Sequence, residues 1–339
     1  MKKIFFGLFS LLSIICCSQE KSEQELLANT GLQKIKFELN NDVIEYLITD
    51  ELPSQKGIIF YSQGSMPMPL MLKENDNIYT TFPFDYGSYY NEYRFVVISK
   101  PGIPIIPKKK NLDNRNLYIN DKGEWSDKYL QTHFLSYYTN SLNSVINHVL
   151  NKSKKENKKI ILIGHSQGAR VVTKVANINN KVTHLVYLSG NPLGRIDESI
   201  RRKREAVICG QITEQQAHEE ILAIYEKWNV INKNKNSLKV KEKEDSNYTW
   251  YSFSEYTVDD LLNLTIPIFV GYGTRDITAR YCDLLPIDFI RHQKTNLTHK
   301  PYLGYDHSFN KIKADGKPDF NNSIIHNVMK DAINWVELN

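Results

Sequence analysis

Apolar residues along the chain fall into short dense runs rather than one repeating stripe. Gly57–Tyr61, Phe95–Ser99, Lys159–Ile163, Thr183–Leu188 and Ile266–Val270 are rich in Ile and Val and bounded by turn residues. They lack polar alternation, the pattern of strands covered on both faces. Two further runs, Leu32–Leu39 and Val43–Thr49, are split by Asn40-Asn41-Asp42 and predict a hairpin or tight strand pair. Between the strands the spacing turns helical. Leu142, Val145, Ile146 and Val149 share a face within Leu130–Asn151, Ala169–Asn177 follows a strand directly, and Ser323–Leu338 predicts a final helix. Strand alternating with helix predicts an α/β fold: a mainly parallel central sheet with helices on both faces.

One segment breaks the alternation. From about Arg195 to Glu255 the chain is charged and helix-prone, then lysine-rich, with no buried-strand run. It reads as a helical insertion on the sheet edge, either a lid or a passive elaboration. Its place in the chain, between the residues discussed below, favours the lid. The expected organisation is a leader over 1–17, a tether over 18–31 and a domain over 32–338 that carries the insertion 195–255.

The leader reading rests on Met1-Lys2-Lys3 followed by the apolar stretch Ile4 to Ile15. Twelve helical residues reach roughly 18 Å, short of the roughly 30 Å hydrocarbon core, so the stretch reads as a secretory leader and not a membrane span. Ile14-Ile15-Cys16-Cys17 resembles a bacterial lipoprotein signal, which implies Cys17 as the lipid anchor and Ser18 to Glu23 as the start of the tether. Cleavage near Ser18 with soluble export is the alternative. Membrane contact is therefore expected through a lipid on Cys17.

Composition narrows the function further. The chain has 339 residues, 41% hydrophobic and 24% charged, ample for a large core and unlike a disordered protein. A net charge of +5, falling to +3 without Lys2 and Lys3, is too weak for a nucleic-acid partner. Lysine clusters at 152–159 and 233–243 read as solvated faces or loops. Beyond the leader the cysteines are Cys209 and Cys282, best read as two separate thiols. Neither CxxC nor HExxH occurs, so no dedicated metal site is expected.

The chemistry centres on the β-branched run from Lys159 into Gly164-His165-Ser166-Gln167-Gly168, followed by the apolar-faced Ala169-Arg170-Val171-Val172. A serine at a sharp strand-to-helix turn needs small neighbours two positions either side, and Gly164 and Gly168 meet that need. The turn would push the hydroxyl above the sheet, beside the backbone N–H groups of a helix N-terminus.

In this context the chain resembles the α/β-hydrolase superfamily over roughly residues 32–338. The resemblance implies nucleophile, acid and histidine in that chain order, as Ser166, Asp276 and His307. Asp276 ends the run Ile266-Pro-Ile-Phe-Val-Gly-Tyr-Gly-Thr-Arg-Asp, and His307 lies in Tyr302-Leu-Gly-Tyr-Asp-His-Ser-Phe. The oxyanion hole would use the backbone N–H of Gln167 and, from the loop Gln63-Gly64-Ser65-Met66-Pro67, that of Ser65. Gln63 stands where histidine is common in the family. Alternatives stay open: Asp276 as a helix cap with Asp259 and Asp260 as weak rivals, and His299 as competitor to His307. Asp306 reads as a loop residue and His165 as packed at the elbow. His133, His148, His184, His218, His292 and His326 have no partner pattern. Tyr79–Tyr93 and Trp250–Tyr256 are aromatic stretches that either line a cleft or pack loops.

The expected activity is hydrolysis of a carboxylic ester through an acyl-enzyme, on a small-molecule or peptide substrate and without cofactor. The resemblance extends to serine peptidases that read a substrate amino terminus with cap acids, for which Glu219, Glu220 and Glu255 are candidates. A non-catalytic binding protein on the same fold is the alternative from another class. Oligomeric state is left open.

Overall fold

The computed structural model describes residues 23–40, 42–75, 77–153, 159–240 and 245–339. The leader, Cys17 and the tether up to residue 22 lie outside the described residues. Residues that follow do not hang free: Glu23–Leu27 is a short helix whose Leu27 is buried in the core. Among the described residues, no helix is long and apolar enough to cross a membrane.

In chain order the strands are β1 (Leu32–Leu39), β2 (Asp42–Thr49), β3 (Gly57–Ser62), β4 (Met71–Glu74), β5 (Asn77–Thr80) and β6 (Tyr93–Ile98). They continue with β7 (Lys159–His165), β8 (His184–Leu188), β9 (Ile268–Gly273), β10 (Leu297–Tyr302), β11 (Asn310–Ile312) and β12 (Pro318–Ser323). Eight of them form one sheet in the order β1-β2-β6-β3-β7-β8-β9-β10. The pairs β1/β2 and β2/β6 are antiparallel, and every other neighbour pair is parallel. The expected hairpin is thus the antiparallel edge of a mainly parallel sheet. The hairpins β4/β5 and β11/β12, which the apolar runs did not predict, are separate two-stranded additions.

Alternate residues of the central strands enter two different cores, as a period of two requires. Ile58, Phe60, Ile160 and Leu162 pack on one side with Val145, Ile146 and Val149 of the helix Leu135–Lys152 and Val171, Val172 and Val175 of the helix Gln167–Ile178. Ile59, Tyr61, Ile161 and Ile163 face the other side, under Val328, Met329, Ala332 and Ile333 of the helix Ile325–Leu338. Continuous apolar runs are needed because both faces are covered.

The helix expected over Leu130–Asn151 is instead two. Asp127–Thr132 ends at His133 (φ −76°, ψ 66°), and Leu135–Lys152 begins after the extended Phe134. The break lets His133 turn inward, 1% exposed, with Nδ1 2.8 Å from the Tyr138 hydroxyl. The segment 195–255 carries the helices Arg195–Ile208, Glu214–Lys233 and Asn247–Ser252. The second opens with a reciprocal capping box between Thr213 and Gln216. Cys209 is exposed and Cys282 buried, each a free thiol.

Candidate active site

Strand β7 turns into the helix Gln167–Ile178 through Ser166 alone. Ser166 has φ 57° and ψ −124°, a positive φ that residues with a Cβ seldom adopt. The flanking glycines make the turn possible. A Cβ on Gly164 would stand 2.3 Å from the Gly168 carbonyl oxygen, and one on Gly168 would stand 2.1 Å from that of Ser62. The helix start therefore presses on the end of β3 and brings the loop after it beside the serine. A Cβ on Gly64 would lie 3.4 Å from the Ser166 Cβ. Ser65 is held in that loop by the Tyr129 hydroxyl, which donates to its carbonyl. Gln167 is the first residue of its helix, where a backbone N–H has no intrahelical acceptor.

His307 arrives on the loop after β10, and its Nε2 lies 2.8 Å from Ser166 Oγ. Its Nδ1 lies 2.7 Å from Oδ2 of Asp276, which sits just past β9 and is 3% exposed. Asp276 does not cap a helix. Its Oδ1 accepts from the Thr278 N–H at 2.9 Å and from the Thr278 hydroxyl. With Oδ1 occupied, Oδ2 is left to accept a hydrogen bond from Nδ1–H, which fixes the tautomer that leaves Nε2 as acceptor for the serine.

Electrostatics reinforce this arrangement. Burial opposes charge on His307, but the Asp276 carboxylate prevails and raises its pKa above the ordinary histidine value. Burial pushes the Asp276 carboxyl up, yet His307 and the Thr278 donors hold it below the usual carboxylate value. His165 behaves oppositely: burial, then the nearby His307, push it down to about 4. Its neutral ring bonds through Nε2 to the His307 carbonyl at 2.9 Å. A carbonyl only accepts, so His165 donates there and fixes the backbone of the histidine loop.

The rivals lie elsewhere. His299 bonds the Cys282 carbonyl from β10, Asp260 pairs with Lys174 at 2.9 Å, Asp259 stands in the first turn of the helix Val258–Asn263, and Asp306 accepts from the Ser308 and Asn310 N–H groups. Glu219 takes a bond from Gln215, Glu220 pairs with Lys203 and Glu255 with Lys174. None of the three lines the cavities next to Ser166. Sequence reading missed Thr278 and the anchoring role of His165. For Thr278 the available signal was its position two residues after an aspartate, the spacing of a side-chain-to-backbone turn.

Two cavities meet at Ser166 and His307. One, of about 450 Å³, is walled by Tyr61, Met66, Met68, Phe82 and Pro83. The other, of about 480 Å³, is the more polar of the two and lies under the insertion, lined by Arg170, Ser189, Arg195, Glu198, Arg202 and Asp245 with Trp250 and Phe253. Each aromatic stretch thus contributes to one of these walls. Arg195 links the insertion to the elbow, since its Nη1 pairs with Asp245 at 2.5 Å and its Nη2 donates to Gln167 Oε1 at 2.9 Å.

No protein-family model matches the chain, and no curated protein matches its sequence. Solved structures do match. Est1E from Butyrivibrio proteoclasticus with ferulic acid bound is 12% identical, with 90% of this chain and 98% of that one covered at a TM-score of 0.51. The α/β hydrolase GrgF from Penicillium sp. sh18 is also 12% identical, with 90% and 98% covered at 0.50. Dipeptidyl peptidase 4 of Porphyromonas gingivalis is 11% identical at 0.51, with 90% of this chain aligned to 35% of that one. At such identities the likeness speaks to architecture, and the chain has the α/β-hydrolase fold.

Proposed function

We propose that the protein is a serine hydrolase that cleaves a carboxylic ester through an acyl-enzyme. The observation that carries the reading is the unbroken chain of contacts from Ser166 Oγ to His307 Nε2 at 2.8 Å and from His307 Nδ1 to Asp276 Oδ2 at 2.7 Å. A serine hydroxyl is a poor nucleophile at neutral pH unless a base takes its proton as it attacks. His307 takes that proton on Nε2 while Oγ bonds the substrate carbonyl carbon, and Asp276 stabilises the imidazolium that results. The carbonyl oxygen, now negative, lies toward the Gln167 and Ser65 N–H groups at the head of the helix. The alkoxide leaving group departs with the proton from His307, and water repeats the sequence to release the acid and restore Ser166. An ester is favoured over an amide because its leaving group needs less protonation. The likeness to Est1E carrying ferulic acid, an aromatic carboxylic acid, supports a hydrolase of this kind.

A fluorophosphonate probe tests the reading. The folded full chain is expected to be labelled at Ser166 with loss of hydrolysis of 4-nitrophenyl butyrate, while Ser166→Ala takes up no label. A folded wild-type chain that resists the probe would favour a non-catalytic binding protein.

A further inference from the structure

The polar cavity contains a cation that the hydrolytic reading does not use. Arg170 stands one turn after the serine on the helix Gln167–Ile178, is 4% exposed and lines the cavity. Its Nε and Nη2 have no hydrogen-bond partner. Nη1 donates to the Phe253 carbonyl at 3.4 Å, too long to be a strong bond. Among the described residues no carboxylate lies within ion-pairing distance of it, and the acids that bear on it electrostatically, Glu255 and Asp260, both pair with Lys174. Burial pushes the guanidinium down only to about 10, so it stays charged at neutral pH.

Other charges around the cavity are already matched. Arg195 pairs with Asp245 and Arg202 with Glu198, which leaves Arg170 as the uncompensated charge among these three arginines. The same cavity is lined by Ser189, just past β8, whose Oγ is also buried without a partner. Ser189 adopts φ 48°, a second strained serine within the same cleft. Buried donors normally find acceptors, and strain in a folded chain concentrates at sites of function. A planar guanidinium with unpaired N–H groups fits a carboxylate, which offers two parallel acceptors.

We propose that this cavity is a subsite for a carboxylate on the substrate, received by Arg170 and Ser189, while an apolar portion across the scissile bond fills the cavity of Met66, Met68 and Phe82. The proposal rests on the hydrolase reading and narrows it to esters with one anionic and one apolar end. Glu198 and Asp245 also face the cavity and would repel an anion, but each is neutralised by its arginine. Arg170 reaches the ligand by giving up its long contact to Phe253.

The test compares matched esters. With the charge on the alcohol side, the pair is the hexanoates of 4-hydroxybenzoate and 4-hydroxybenzamide. With the charge on the acyl side, it is 4-nitrophenyl hemiglutarate and 4-nitrophenyl butyrate. After correction for alkaline hydrolysis rates, kcat/KM should favour the anion by about 10- to 100-fold in at least one pair, mainly through KM. In Arg170→Met that ratio should fall to within about threefold of one, with Arg170→Lys between. If Arg170→Met does not fold, the Ser189→Ala ratio takes its place and should drop several-fold. A wild-type enzyme indifferent to the charge in both pairs, or an Arg170→Met enzyme that keeps the preference, would overturn the proposal. Failure of the hydrolase reading is told apart by calorimetry of glutarate with the Ser166→Ala chain, which needs no turnover. Binding that Arg170→Met abolishes supports the subsite, and absence of heat counts against it.

Discussion

The floor and the roof of the cleft are held by different forces. The floor is the elbow and the strands beneath it, where residues 160–164 of β7 are all buried and Gly168 meets the backbone of Ser62 with no space for a methyl group. The roof is the insertion, whose helix Arg195–Ile208 has no fully buried residue. Its first helix is tied down by polar contacts, Arg195 to Gln167, Arg280 to Glu205 and Arg201 4.0 Å over the Tyr281 ring, while Phe253 near the end of the insertion enters the domain core. Sterics fix the floor and allow almost no substitution, whereas a partly exposed ion pair such as Arg280–Glu205 contributes roughly 0–1 kcal/mol. A helix attached that way can change its sequence without unfolding the domain. The difference places the proposed chemistry in the floor and the proposed selectivity where roof and floor meet.

The largest effect expected is on the chemistry itself. Asp276→Asn should lower kcat/KM by about 10³–10⁴, because an amide no longer holds the Nδ1–H tautomer of His307. It should also move the pH profile, and the sign follows from the causes of the His307 shift. In the wild type the carboxylate holds the histidine above its ordinary pKa against the effect of burial, so activity should rise with pH through that raised value as the base becomes neutral. With the carboxylate gone, burial is met only by the smaller effect of Glu198, and the rising limb should shift to lower pH. A limb that stayed in place, read from kcat/KM between pH 5 and 9, would exclude His307 as the titrating base.

Next in size is a matched pair of glycine substitutions. Gly168→Ala places a methyl 2.1 Å from the Ser62 oxygen and should cost about 3 kcal/mol or more, with loss of activity in whatever still folds. Gly210→Ala, in the insertion, has φ +67° but nothing within 4 Å, so only the left-handed backbone is penalised, at about 1–2 kcal/mol. Urea melts of the two variants measure the contrast between floor and roof directly. Equal losses would break it.

The same contrast explains what could be read from the residues alone. The floor was legible because its constraints act on residue type: strands covered on both faces must be continuously apolar, and an elbow must have glycines at 164 and 168. Strand ends shifted by a residue or two, as in β9, which starts at Ile268 and not Ile266, because the residues at the edge of a run are chosen by what packs on them. Helix 195–208 was recognisable as helix, but nothing in its charge pattern revealed that Arg195 reaches Gln167 or that Arg170 would be buried without a carboxylate. Those facts depend on contacts across 28 to 83 residues of chain. The break at His133 was hidden for the same reason: apolar spacing continues across it, and that spacing does not encode the contact of the buried imidazole with Tyr138.

The smallest expected effect tests the polar tie itself. Arg195→Met removes the pair with Asp245 and the bond to the Gln167 side chain, while leaving every buried strand contact intact. Since both charged side chains of the pair are only about one-fifth exposed, the unpaired Asp245 carboxylate should cost about 1–2 kcal/mol of global stability, and the double variant with Asp245→Asn should recover part of it. Activity should respond more than stability. Gln167 supplies a proposed oxyanion N–H, and without Arg195 to hold its side chain the head of the helix is less well ordered, so kcat should fall several-fold at nearly constant KM for a neutral ester. A loss of stability as large as that of Gly168→Ala would mean that the insertion is part of the folding core after all. A stable variant with unchanged kcat would mean that the roof only covers the site, and that the elbow needs nothing from it to hold the helix N-terminus in place.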